Sequence, residues 1–150
     1  MQGVTIVTDK NLIQLVYASS ANEAFKEDEL LTLLEQARQK NLRLGITGML
    51  LYKGGNFLQV LEGEESVVMN LYATIQSDQR HHQIMTVSKR TIAERTFGEW
   101  QMAFVNLHTV KAEDVPGYSA FLDEPFTVMN FVSKPSLATR FLKVFKEGMR

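Results

Sequence analysis

Cysteine is missing altogether from this 150-residue chain. The absence excludes a disulfide framework, a thiolate metal site, a cysteine nucleophile and any cofactor held or trapped as a thiol adduct. An excess of one charge is missing as well: 16 Lys and Arg stand against 17 Asp and Glu, a net charge of −1. With no long basic block, nothing points to nucleic acid, a membrane surface or an acidic substrate. No apolar run approaches the roughly 20 residues needed to span a bilayer. Met1–Asn11 has neither the basic start nor the apolar stretch of a signal peptide. A cytoplasmic protein is expected.

What is present is the make-up of one soluble domain, with 45% hydrophobic and 22% charged residues. Proline is scarce and unevenly spread: all three prolines, and five of the nine phenylalanines, fall in residues 111–150. Leu12–Ser19 alternates, with Ile13, Leu15 and Tyr17 on one face, and predicts a strand. Lys26–Lys40 predicts a helix with the stripe Leu30, Leu33, Leu34 and Ala37; four residues on, that stripe meets Asn41. Gly45–Tyr52 and Phe57–Glu62 flank Lys53-Gly54-Gly55-Asn56 and predict a β-hairpin. Glu64–Ser77 predicts a second helix, striped by Val68, Leu71, Tyr72 and Ile75. Gln83–Lys89 and Glu99–Leu107 complete the strands.

The order β-α-β-β-α-β-β, with right-handed crossovers, implies an α+β fold of ferredoxin-like type, a five-stranded sheet with both helices on one face. Leu58 and Val60 remain apolar on the other face, as befits a strand covered on both sides. The tail supplies the cover, with a final helix capped by Ser136 and striped by Leu137, Phe141, Val144 and Phe145. The expected organisation is an extension at 1–11, a domain at 12–108 and a helical cap at 109–150.

Three polar residues break the apolar pattern: Tyr17 on the first strand, Gln59 on the third and Asn41 after the first helix. Each has an ordinary explanation alone, as a core tyrosine, a solvent-facing glutamine and a helix C-cap. If the crossovers hold, they converge between the helices, where unpaired amides and phenols cost about 1–3 kcal/mol each. Something flat and polar would satisfy them together.

Five pieces in series carry a family resemblance: Leu15-Val16-Tyr17-Ala18-Ser19, Asn41-Leu42-Arg43-Leu44-Gly45-Ile46-Thr47-Gly48-Met49-Leu50, Phe57-Leu58-Gln59-Val60-Leu61-Glu62-Gly63, Asp78-Gln79-Arg80-His81 and Arg95-Thr96-Phe97-Gly98-Glu99-Trp100-Gln101-Met102. In order, spacing and residue type the chain resembles a BLUF domain. The resemblance implies a non-covalent flavin, FAD or else FMN or riboflavin, between the two helices. It further implies Tyr17 as electron donor, Gln59 between the phenol and the ring, Asn41 and Arg80 on the ring's polar edge, Ile46 against its face, and His81 toward the ribityl or phosphate part. Trp100 and Met102 match residues that shift during signalling. Lys40 stands where the family often has His or Asn, and Ala37 lacks the hydroxyl that some members carry.

The function so implied is blue-light sensing without enzymatic turnover, signalled through an unidentified downstream protein, with a homo-oligomer possible; no effector domain is expected within the chain. Two alternatives stay open. One is a ferredoxin-like regulatory module that binds a colourless small molecule. The other is an acyl-phosphate hydrolase using Arg80 and Asn41, although no glycine-rich loop opens a helix to cradle a phosphate. A metal at His81-His82 is not expected, because adjacent strand residues point apart and no third ligand is evident.

Overall fold

The alternation that marks the first strand carries it further than expected, as β1 (Leu12–Ala21). In the computed structural model, residues 11–23, 25–98, 102–121 and 124–148 are described. The hairpin forms β2 (Thr47–Lys53) and β3 (Asn56–Glu64), followed by β4 (His81–Thr91) and β5 (Ala103–Asn106). Strand order is β4-β1-β3-β2-β5, antiparallel except that β5 runs parallel to β2. This is the expected ferredoxin-like sheet with one added edge strand.

α1 (Glu27–Leu44) begins with three acidic residues, which suit the positive end of the helix, and the Glu29 carboxylate accepts from the Lys26 N–H at 2.9 Å. It runs four residues beyond the predicted end. Gly45, at φ 69°, closes it in the left-handed conformation, and the Ile46 N–H donates to the Asn41 carbonyl at 2.9 Å. Asn41 therefore sits in the last turn of the helix and not beyond it. In α2 (Glu65–Gln76), the Glu64 side chain caps the first turn by accepting from the Val67 N–H at 3.1 Å.

Two cores lie back to back across the sheet. Ile13, Leu15, Tyr17, Phe57 and Leu61 pack against Leu30 and Leu34 of α1 and Val68, Leu71 and Tyr72 of α2. Val16, Ala18, Leu58 and Val60 pack on the opposite side against the C-terminal segment. Gly48 is required at one close approach: a Cβ there would stand 2.0 Å from the Val60 carbonyl oxygen.

The C-terminal segment covers the second face with two helices where one was predicted, α3 (Val128–Ser133) and α4 (Pro135–Gly148). α4 starts on Pro135, whose fixed φ and missing N–H suit a first helical position, so Ser136 lies inside the helix and is not its cap. Phe126, Phe131 and Phe141 meet edge to face at centroid distances of 5.0 to 5.7 Å. The Asn56 amide also donates to the Phe126 carbonyl at 2.9 Å, tying the hairpin to the cap. The last strand is shorter than the predicted Glu99–Leu107; Glu99, Trp100 and Gln101 lie outside the described residues, and Met102 immediately precedes β5.

Candidate functional site

Register decides which polar side chains meet. Tyr17 stands directly opposite Gln59 across the β1–β3 ladder, on the face that carries the two helices. The phenol donates its hydroxyl to Gln59 Oε1, and Gln59 Nε2 reaches Met102 Sδ at 3.3 Å. Tyr17, Gln59 and Met102 are 3%, 8% and 1% exposed, so the chain of contacts is shielded from water. Burial, reinforced by neighbouring Tyr72 and Asp78, pushes the Tyr17 phenol far above its ordinary value of about 10. The group is held protonated at any physiological pH.

Above this pair, between α1 and α2, lies a cavity of about 290 Å³. Tyr17, Leu50, Phe57 and Gln59 line it from the sheet, Ala37, Lys40 and Asn41 from α1, and Leu71, Thr74 and Ile75 from α2. Asn41 is only 2% exposed. Arg80 also lines the cavity, with its guanidinium paired to Asp78: Nη2 stands 2.5 Å and Nε 3.1 Å from Oδ2, and Nε is 3.0 Å from Oδ1. The Arg80 side chain is 53% exposed, so this pair forms the wet end of the cavity.

The residues present fit a flat, heteroaromatic guest. Apolar walls from Leu50, Leu71 and Ile75 enclose the space, and two buried amides, Gln59 and Asn41, open onto it. An amide offers two N–H donors and two acceptor lone pairs. Among the described residues Tyr17 and Met102 take one of each from Gln59, which leaves one donor and one acceptor for a ring edge carrying both.

Of the expected site residues, Tyr17, Asn41, Gln59 and Arg80 thus share one cavity. Ile46 is 1% exposed in the same core but is not among the lining residues. Met102 likewise does not line the cavity and meets the site through Gln59. His81 opens β4 opposite Ala21, its side chain outside those described, and Trp100 lies outside the described residues altogether. No cluster of three or more His, Cys, Asp or Glu able to hold a metal occurs among the described residues.

Sequence reasoning passed over two groups. Arg38, on the helix that walls the cavity, donates from Nε to the Met102 carbonyl at 3.0 Å. Glu62, wholly buried, accepts from Gln14 Nε2 at 2.8 Å, the Thr96 N–H at 3.1 Å and the Phe97 N–H at 2.7 Å. The signal for Glu62 was available, since alternation puts it on the buried face with Leu58 and Val60. Nothing in the helical pattern singles out Arg38.

The family model described as "BLUF: Sensors of blue-light using FAD" matches residues 12–103. A photoactivated adenylate cyclase subunit beta of Euglena longa is 36% identical over 100 residues, 66% of this chain and 12% of that protein. The blue light- and temperature-regulated antirepressor BluF of Escherichia coli K12 is 30% identical over 104 residues, 69% of this chain and 26% of that protein. The chain therefore spans a small part of either relative. Among solved structures, the photo-activated state of BlsA superposes with a TM-score of 0.70 at 32% identity, over 87% of this chain and 91% of that one.

Proposed function

Since the chain belongs to the BLUF family of blue-light sensors using FAD, we propose that a flavin occupies the cavity between α1 and α2 and that Tyr17 and Gln59 convert light absorption into a changed hydrogen-bond network. The observation that carries this reading is the buried sequence of contacts from the Tyr17 hydroxyl to Gln59 Oε1 and from Gln59 Nε2 to Met102 Sδ. When bound, the flavin supplies the blue-light absorption and an excited state that oxidises a neighbouring phenol. FAD is the proposed cofactor; FMN and riboflavin share the same ring.

The protein's own part is a proton relay. Tyr17, kept protonated by burial, has its proton already aimed at Gln59 Oε1, so loss of an electron is matched by a short transfer to that oxygen. An amide protonated at oxygen would pass a proton from nitrogen to the flavin that took the electron, and once an electron and a proton have returned to Tyr17 the Gln59 side chain is left turned or tautomerised. Either outcome changes what Gln59 offers Met102 Sδ. Asn41 and Arg80, with Ile46 and His81 as further contacts, hold and orient the cofactor, while Trp100 and Met102 carry the change into β5. Residues 12–108 are the sensor and 109–150 its cap. The output is contact with a downstream protein in the cytoplasm, or altered self-association, and not turnover by residues 12–108.

Gln59→Leu tests the reading. The flavin-loaded parent is expected to show a reversible red shift under blue light, and the variant to bind flavin without that shift. A red shift that persists in the variant would falsify the relay.

A further inference from the structure

Met102 presents two groups to the rest of the protein: its sulfur accepts from Gln59 and its carbonyl accepts from Arg38. Among the described residues the β2–β5 ladder begins one residue later, at Met49 opposite Ala103. Arg38 reaches Met102 from α1, beside Ala37 and three residues before Asn41, both of which line the cavity. Arg38 itself does not line it. A guanidinium remains charged at every accessible pH, and a charge-assisted bond to a carbonyl is among the stronger single contacts available.

We propose that Arg38 is a positioning residue of the photoresponse: by holding the Met102 carbonyl it seats Met102 Sδ against Gln59 Nε2 and so joins the cavity wall to the start of β5. The proposal rests on the relay described above. Return to the dark arrangement requires Met102 to be seated again beside Gln59, and Arg38 supplies that seat from the helix.

Arg38→Gln and Arg38→Lys, each in the full flavin-loaded chain, test it by two readouts. The first is recovery in the dark after a blue pulse. Exchange of a charge-assisted bond for at best a neutral one is expected to slow it about three- to tenfold in Arg38→Gln, with flavin content unchanged and with partial rescue in Arg38→Lys. The second is independent of light. Met102-Ala103 is the only Met-Ala pair in the chain, so 13C-carbonyl methionine with 15N-alanine selects the Met102 carbonyl by NMR. Its resonance is expected to move upfield in Arg38→Gln, as for a carbonyl that has lost a donor. Recovery that is unchanged or faster overturns the proposal, and so does an unmoved Met102 carbonyl. If the parent itself shows no reversible shift, the light-sensing reading fails instead, and the carbonyl measurement still decides whether Arg38 seats Met102.

Discussion

Replacing Tyr17 by Phe removes one buried oxygen and leaves everything else in place. The ring keeps its volume and its contact with Tyr72, whose centroid lies 5.0 Å away, so no cavity opens. What is lost is the donor to Gln59 Oε1, at a buried position. An acceptor stranded in this way costs about 1–3 kcal/mol. For a domain of this size that is a fall of roughly 3–10 °C in melting temperature. A second consequence follows from proton linkage. The phenol titrates near 10 when unfolded and well above that when folded, so between the two values the native state binds the extra proton. Stability is then complete below about pH 10 and falls as pH rises further, by up to about 1.4 kcal/mol per pH unit from this group. Tyr72 and Tyr118, raised chiefly by burial, add to the parent's alkaline loss in the same sense. The difference between parent and variant isolates Tyr17. Urea unfolding of both proteins from pH 8 to 11.5, with light-minus-dark spectra at pH 8, makes the measurement. Parallel stability curves above pH 10 would refute the buried-phenol argument, and a surviving red shift in Tyr17→Phe would refute its role as donor.

Two further substitutions probe the frame around the site. Glu62→Ala strands the Gln14 amide and the Thr96 and Phe97 N–H groups, for a cost of roughly 3 kcal/mol or more. Glu62→Gln, which keeps one acceptor oxygen, is expected to lose less. A Glu62→Ala protein that melts within about 2 °C of the parent contradicts this account. Gly48→Ala places a methyl 2.0 Å from the Val60 carbonyl oxygen and forces β2 from β3. It is expected not to yield soluble folded protein, and recovery of a well-folded variant with near-parental melting temperature would show that the strands can separate there cheaply.

The two faces of the sheet were legible because period-two alternation is unambiguous over strands as long as β1 and β3. It placed Tyr17, Gln59 and Leu61 on one side and Leu58 and Val60 on the other. The polar residues stood out against that pattern for the same reason. Helix ends were less legible. Asn41 reads equally as a cap or as a helical residue, and only the left-handed Gly45 decides between them. The tail was harder again, since the break between α3 and α4 at Lys134 and Pro135 interrupts no obvious apolar period. Arg38 was out of reach altogether: its partner is a backbone carbonyl 64 residues away, and a carbonyl leaves no mark in a sequence.

β5 is only four residues long and is joined to the sheet along β2. Its side chains, with that of Met102 just before it, are divided between the two cores, Met102 and Phe104 toward the helices, Ala103 and Val105 toward the cap. A slip of one residue along β2 would exchange those sets and put small residues where large ones are needed. A slip of two would keep every residue on its own side and present Gln59 with a different neighbour of the same parity, two positions up or down the chain. The edge strand is thus a short rack with permitted stops about 6.6 Å apart, counted by the rise per residue of an extended chain. Movement from one stop to the next would be felt by both cores together, because each holds half of its teeth.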